Sequence, residues 1–243
     1  MNQRSFYSFH VTQTMNQQFE HQHPLDILQW VYHNIEDVEI GTSLGPSGIA
    51  IIHLAKQIVK KPKIFLLDTD FLFPQTLLLK TQIEQTLNVD IQVVNSELSP
   101  QEQAQHYAPE LWKTDPDRCC TLRKVNPLQN HLQHMQGWIN GVRRTQGGAR
   151  RTTPILSPIT TLHGHSLLKI SPLANWNRKQ VWNYLHTHQL PYNSLHDQGY
   201  SSIGCTHCTQ TVKQIDHDQQ ERDGRWVHST KSECGIHTFH QHT

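Results

Sequence analysis

Short apolar runs alternate with segments of helical periodicity through most of this chain, and that alternation restricts the fold more than any other feature. A helical pattern at 24–35 leads into an apolar stretch at 38–40, and a second apolar run at 49–54 precedes KIFLLDT at 63–69. Such a succession predicts strand–loop–helix–strand units with buried strands. We therefore expect an α/β fold with a mostly parallel sheet and helices on both faces.

The alternation continues toward the C-terminus. Helical spacing at 77–87 precedes the strand-like VDIQVVNS at 89–96, and further strands are predicted at about 137–142 and 167–170, before a helix at 178–188. Ligands of parallel sheets bind beyond the carboxyl ends of the strands, so the loops that follow the strands should share one crevice. The loops in question are 42–48, 68–74 and 141–150.

Composition favours one domain with polar ends. We expect a polar N-terminal arm or short docking segment at 1–23, an α/β domain at 24–209 and a flexible tail at 210–243. A net charge of +1 and a charged fraction of 17% give no general attraction for nucleic acid or a membrane. Because the N-terminus lacks the apolar stretch of a secretory signal, we expect a cytoplasmic protein with reduced cysteines.

Four cysteines form two tight groups. Cys119 and Cys120 are adjacent, while Cys205 and Cys208 form a C-x-x-C pair. Four thiolates suit a tetrahedral zinc ion or an iron–sulfur cluster. Zinc sites usually take each pair of ligands from a C-x2-4-C turn, whereas adjacent cysteines can more easily bind two irons of a 4Fe-4S cube. Buried core thiols and a thioredoxin-type redox pair are the alternatives.

The fifth cysteine, Cys234, lies in the polar segment KSECGIHT near the C-terminus. Nothing apolar in its sequence surroundings predicts burial, so we expect an exposed thiol. A nucleophilic cysteine needs access and a stabilised thiolate, and His237 and Lys231 could supply positive charge. A tail cysteine without a function is the alternative.

The segments CCTLRKVNPL, NGVRRTQGGAR, GYSSIGCTHC, ERDGRW and KSECGIH occur in this order. Together they resemble the assimilatory sulfonucleotide reductases, which reduce adenylyl sulfate or phosphoadenylyl sulfate in the route from sulfate to cysteine. The resemblance extends from about residue 38 to residue 238. It implies the adenine-nucleotide-binding fold shared with ATP pyrophosphatases.

The resemblance also implies a chemistry. Cys234 would attack the sulfur of the substrate and become an S-sulfocysteine, which thioredoxin or glutaredoxin would then reduce to release sulfite. A 4Fe-4S cluster would lie on the four paired cysteines, with Lys124 and His237 beside the reacting groups. The residues expected to bind the substrate are Thr42, Ser43, Gly45, Gly141, Arg143, Arg144, Arg150, Arg222 and Arg225.

Three departures separate this chain from the family pattern. The family usually reads LDTG where this chain has LDTD, so that Asp70 replaces a glycine. In addition, QGGAR with Gly147-Gly148 replaces a Gln-Ser-x-x-Arg run, and CTQTV replaces the more usual Cys-Thr-Arg-Pro-Val. A carboxylate near an anionic ligand is unfavourable unless it points away.

Three functions remain open from the sequence. The cluster cysteines favour a reductase of adenylyl sulfate, while the loop TSLGPSG also resembles reductases of phosphoadenylyl sulfate or of both nucleotides. A remote alternative is a nucleotide-binding iron–sulfur sensor that has lost catalysis. Whether the chain forms a homo-oligomer is also left open.

Overall fold

A six-stranded sheet organises the fold. The computed structural model describes residues 9–212, 221–227, 229 and 231–237. The strands are β1 (Val38–Thr42), β2 (Lys63–Asp68), β3 (Ile91–Asn95), β4 (Gly137–Ile139), β5 (Leu156–Thr160) and β6 (Ser166–Ile170). Their order in space is β3-β2-β1-β4-β6-β5. β1, β2, β3, β4 and β6 run parallel, and β5 pairs antiparallel with β6.

Helices connect the strands and cover the sheet. They are α1 (Phe9–Phe19), α2 (Pro24–Asn34), α3 (Pro46–Lys56), α4 (Pro74–Leu87), α5 (Pro100–His106), α6 (Leu111–Thr114), α7 (Pro116–Cys120), α8 (Asn126–His131) and α9 (Arg178–Thr187). Proline occupies the first turn of α2, α3, α4 and α5, where its missing N–H costs no helical hydrogen bond. A π-helical turn, Thr121–Val125, joins α7 to α8.

Apolar side chains pack on both faces of the sheet. Ile64 and Leu66 of β2 join a large buried cluster with residues of α2, α3 and α9. Phe65, between them, points to the other face and packs in a second cluster with Leu128 and Trp138. This period of two is expected for a strand buried on both sides. The predicted fold class, a mostly parallel sheet with helices on both faces, is confirmed.

The N-terminal segment is more ordered than a loose arm. Residues 9–19 form α1, and the side-chain amide of Asn16 exchanges two hydrogen bonds with the backbone of Leu156 on β5, at 2.8 and 2.9 Å. Phe19 is buried in the main core. For residues 9–19 the segment therefore docks on the edge of the sheet, as the docking alternative expects, and positions 1–8 lie outside the described residues.

The C-terminal segment lies against the domain where it is described. Of the predicted tail at 210–243, positions 213–220, 228, 230 and 238–243 lie outside the described residues. Trp226 and Cys234 are buried. None of the helices in the described ranges has the length and apolar character that a membrane span requires.

Candidate active site

A crevice of about 230 Å³ opens at the carboxyl ends of the strands. The loops after β1, β2 and β4 all contribute to it, as the parallel sheet predicts. The C-terminal segment closes its other side. The expected site residues that line the crevice are Thr42, Ser43, Gly45, Lys124, Gly141, Arg143, Arg150, Cys205, Arg222, Arg225, Cys234 and His237.

Close backbone packing shapes the loop between β1 and α3. The Thr42 hydroxyl accepts a hydrogen bond from the Leu44 amide at 2.9 Å. A Cβ on Gly48 would lie 2.3 Å from the same hydroxyl, and a Cβ on Gly141 would lie 3.0 Å from Ser47 Cβ. Glycine at these positions lets the loop and the start of α3 approach closely. The first amides of α3 have no acceptor within the helix, which suits them to an anion.

The two cysteine pairs meet at a second, smaller cavity behind the crevice. Cys119 and Cys120 end α7, and Cys205 and Cys208 lie on the turn that follows residue 204. All four line this cavity, and Cys205 and Lys124 line both cavities. Aromatic rings of Phe71, Trp112 and His207 form its outer wall, with Trp112 and His207 stacked at 3.8 Å. In the described part of the chain, no three His, Cys, Asp or Glu side chains are arranged to hold a single metal ion.

Lys124 provides the positive charge at this junction. Burial raises the pKa of Cys119 to about 12 and that of Cys120 to about 11, although Lys124 lowers the latter. Burial also raises the pKa of Cys205, but Lys124 and a contact from Thr69 outweigh it, so the net shift is downward. Burial disfavours the charged form of Lys124 itself, yet charge interactions with Cys205, Cys234 and Cys120 raise its pKa above the ordinary value. The ammonium is therefore retained inside the protein.

Cys234 is buried, so the expectation of an exposed thiol is wrong for this conformation. It is 8% exposed and packs in a small cluster with Cys120 and Trp226. This position brings the thiol to the crevice and close enough to Lys124 for a charge interaction. Access to the thiol from solvent would require movement of the segment.

The arginines of the crevice differ in how far they are already engaged. Arg150 grips both carboxylate oxygens of Glu233, at 2.8 and 2.9 Å, and donates to Gln146 at 2.7 Å. Arg222 makes a single contact with Glu233 at 3.2 Å, and burial lowers its pKa to about 10. Arg225 lies over the Trp226 ring, 4.5 Å from its centroid. Arg222 also donates to the Ser232 carbonyl at 3.2 Å, and Arg225 to the Cys208 carbonyl at 3.4 Å. Neither makes a bidentate pair with a carboxylate, and in this sense they are the less committed cations.

The neighbours Arg143 and Arg144 point in opposite directions. Arg143 is buried in the crevice wall, where it donates to Ser47 and forms an ion pair with Glu221. Arg144 forms an ion pair with Glu20 at 2.5 Å, outside the crevice lining. Of these two arginines, Arg143 is therefore the one placed to contact a nucleotide in the crevice. The backbone at Arg143 is extended, so the side chains of Arg143 and Arg144 project to opposite sides.

His237 lies deep in the crevice as a neutral ring. It stacks on Trp138 with ring centroids 5.4 Å apart. Burial and the nearby Lys169 hold the pKa of His237 well below its usual range, so it supplies no positive charge at pH 7 with the segment in this position. The ring lines the crevice beside Cys234, and its catalytic role stays a prediction.

Sequence reasoning did not single out three charged residues of the site. Glu221 and Glu233 pair with arginines of the crevice, and Lys169 donates from its ammonium to the His237 carbonyl at 3.2 Å. Burial lowers the pKa of Lys169 to about 8. The two glutamates stand inside ERDGRW and KSECGIH, so those motifs were the available signal. Lys169 occupies a strand with no such signal.

A model of the phosphoadenosine phosphosulfate reductase domain matches residues 38–211. The chain belongs to this reductase family. It is 47% identical over 226 residues to the adenosine 5'-phosphosulfate reductase of Salinibacter ruber, which covers 92% of this chain and 87% of that protein. It is 40% identical over 215 residues to adenosine 5'-phosphosulfate reductase 2 of Bacillus subtilis, covering 88% and 89%. The predicted family is confirmed.

Solved structures agree with this assignment. The phosphoadenylyl-sulfate reductase of Candida auris superposes with a TM-score of 0.71 at 26% identity, over 84% of this chain and 98% of that one. An FMN adenylyltransferase of Candida glabrata shares the fold, with a TM-score of 0.56 at 12% identity over 95% and 81% of the chains. An adenine-nucleotide-binding fold is therefore confirmed.

The departure at Asp70 from the reductase pattern has a structural explanation. Asp70 adopts a left-handed backbone with φ of +57°, a conformation that glycine or aspartate tolerates. Its carboxylate accepts a hydrogen bond from Arg123 at 2.6 Å. Arg123 is 1% exposed and also donates to Gln103 at 2.7 Å. The carboxylate thus neutralises a buried guanidinium next to Lys124 and does not line the crevice.

Asp70→Asn should destabilise the protein, because it removes the charge that balances buried Arg123. We expect a loss of about 1–3 kcal/mol in the free energy of unfolding, less than for a fully buried pair since the Asp70 side chain is 35% exposed. Anaerobic urea unfolding measures the loss. The matched control is Asp90→Asn, which breaks an exposed pair with Lys61 and should cost about 0.5 kcal/mol or less. Equal losses in the two variants would contradict this explanation.

Proposed function

We propose that this reductase converts adenylyl sulfate to sulfite and AMP, with Cys234 as the nucleophile. The observation that carries the proposal is the location of the Cys234 thiol, which lies in the nucleotide crevice beside Lys124 and the less committed arginines. The identity with adenosine 5'-phosphosulfate reductases across most of the chain supports the choice of substrate. The role in sulfate assimilation and cysteine synthesis follows from that reaction.

In the first step the Cys234 thiolate attacks the sulfur of the sulfate group. A sulfur–sulfur bond forms, the bond from sulfur to the bridging phosphate oxygen breaks, and AMP leaves with that electron pair. The cations of Lys124, Arg222 and Arg225 stabilise the negative charge of the phosphosulfate and of the departing phosphate. The enzyme is left with an S-sulfocysteine at position 234.

In the second step a dithiol of the thioredoxin or glutaredoxin class reduces this intermediate. One of its thiolates attacks Cys234 sulfur and displaces sulfite, and its second thiol then releases Cys234 while the dithiol becomes a disulfide. Because Cys234 is buried against Trp226, the C-terminal segment must leave the crevice for this step. A reducing cytoplasm provides such dithiols, and we propose that location.

We also infer that Cys119, Cys120, Cys205 and Cys208 hold a 4Fe-4S cluster. Four thiols around one enclosed cavity fit a cube, since its sulfur ligands are spread more widely than those of one ion. The ammonium of Lys124 offsets the negative charge that such thiolates carry. When bound, the cluster would supply a fixed negative charge near the crevice, and the two-electron chemistry would remain with the thiols.

The wall around Arg143 favours adenylyl sulfate over phosphoadenylyl sulfate. Arg143 is already engaged by Ser47, Thr145 and Glu221. Glu221 also lies 3.9 Å from Arg178 and lines the crevice. A 3'-phosphate bound there would have to compete with the Glu221 carboxylate, and the like charges would repel each other. Reduction of phosphoadenylyl sulfate, or of both nucleotides, is the alternative that rate measurements decide.

Cys234→Ser should remove sulfite release while leaving nucleotide binding in place. Steady-state assays with adenylyl sulfate and reduced thioredoxin should show a loss of roughly a thousandfold or more, because the first bond cannot form. Affinity for AMP, measured by calorimetry, should change by less than about threefold, or 0.7 kcal/mol. A steady-state rate close to that of the unaltered enzyme would contradict the proposed nucleophile.

Glu221→Gln should shift selectivity toward phosphoadenylyl sulfate. Loss of the carboxylate removes the ion pair with Arg143 and the repulsion of a bound phosphate. We expect the ratio of kcat/KM values for the two nucleotides to move about tenfold, or 1.4 kcal/mol. Glu20→Gln is the matched control, since it breaks an Arg–Glu pair with Arg144 outside the crevice. An unchanged ratio in the Glu221 variant would show that this wall does not select the substrate.

A further inference from the structure

Glu233, the residue before Cys234, makes a bidentate contact with Arg150 of the crevice wall. Its two carboxylate oxygens accept hydrogen bonds from Nε and one Nη of Arg150, at 2.8 and 2.9 Å. The two side chains are only 10% and 19% exposed. A bidentate, partly buried pair of this kind fixes orientation as well as distance.

Three of the five N–H donors of Arg150 already have protein acceptors. Its remaining Nη donates to Gln146 at 2.7 Å, so all three nitrogens of the guanidinium already bind protein acceptors. Arg222, in contrast, reaches Glu233 through one nitrogen at 3.2 Å. The two arginines therefore differ in role, although both line the crevice.

Other contacts hold the segment on either side of this pair. His237 stacks on Trp138, and Lys231 forms an ion pair with Asp117. Glu233 lies between these two anchors and directly beside the thiol. Without its contact, Cys234 would keep its packing against Cys120 and Trp226 but would lose the bidentate contact that orients the neighbouring backbone.

We propose that Arg150 and Glu233 form a clasp that seats Cys234 in the crevice, and that Arg150 serves the C-terminal segment instead of the substrate. Glu233 is then a positioning residue, and Lys124, Arg222 and Arg225 remain for the phosphosulfate. The inference rests on the proposed role of Cys234 as the nucleophile. A pair that is partly exposed can open and close at modest cost, as alternation between attack and reduction requires.

The test compares the rate of Cys234 alkylation between variants and the unaltered protein. Each is used at full length, with its iron–sulfur cluster bound and without nucleotide. Iodoacetamide is added anaerobically, and peptide mass mapping follows position 234. Glu233→Gln, Arg150→Gln and the double variant should each speed alkylation about tenfold, without additivity, because either single change opens the same clasp. Glu20→Gln, which breaks the pair with Arg144, should alkylate at the unaltered rate.

A second measurement separates seating from substrate binding. Single-turnover sulfonation at saturating adenylyl sulfate should slow about tenfold in Glu233→Gln, while the affinity for the nucleotide stays within about threefold. Unchanged alkylation in Arg150→Gln, together with a large loss of nucleotide affinity, would overturn the clasp and return Arg150 to the substrate. Faster alkylation without any sulfonation of the unaltered protein would leave the clasp standing and refute the proposed reaction instead.

Glu233→Asp is a control for the possibility that Glu233→Gln reacts faster only because it is less well folded. It keeps the charge but shortens the reach, so its alkylation rate should fall between those of the unaltered protein and Glu233→Gln. The visible absorption of the bound cluster reports whether each variant is intact. An aspartate variant that alkylates as fast as the glutamine variant, with its cluster intact, would remove the requirement for a bidentate contact.

Discussion

The rest of the site depends on the electrostatic interaction between the buried ammonium of Lys124 and the cysteines around it. A cation inside a protein is unfavourable unless anionic groups surround it. Here charge interactions with the sulfurs of Cys205, Cys234 and Cys120 raise the pKa of Lys124 above its ordinary value against the effect of burial. The same charge lowers the pKa of Cys205. The cluster cavity and the nucleotide crevice are therefore electrostatically one system.

The backbone explains how these groups converge. Lys124 lies on the π-helical turn that follows the adjacent cysteines, so a single short segment presents thiols to one cavity and the ammonium to both. The C-x-x-C turn comes much later in the chain, and Thr69, in the loop after β2, contacts Cys205 at 3.2 Å. Arg123, which lines the cysteine cavity, forms an ion pair with Asp70. A substitution that looked unfavourable in the sequence is thus compensated by a buried neighbour.

Cys234 has two requirements that oppose each other. Attack on a sulfonucleotide needs a thiol held in a closed crevice, whereas reduction by a second protein needs the same thiol outside it. The segment meets both by using separable contacts: an aromatic stack at His237, a small apolar cluster around Trp226 and ion pairs to the domain. None of these contacts is a large buried core, so the segment can dissociate without unfolding the sheet.

Much of this architecture could be read from the sequence, because period-two burial and helical spacing are local signals. The parallel strands and the residues of the crevice loops follow from them. Strand β5 could not, since Pro158 interrupts its pattern and its partner comes later in the chain. Nor could the outward direction of Arg144, the burial of Cys234 or the docking of α1. Each depends on contacts between residues far apart in sequence.

The most direct measurement is intact mass analysis after anaerobic incubation of the purified protein with adenylyl sulfate and no reductant. Peptide mapping locates any added group, and phosphoadenylyl sulfate is tested in parallel. The account predicts one sulfonate on Cys234 from adenylyl sulfate, removed by reduced thioredoxin with release of sulfite. A protein that retains its cluster but gains no sulfonate from either nucleotide, or gains it at another residue, would contradict the account.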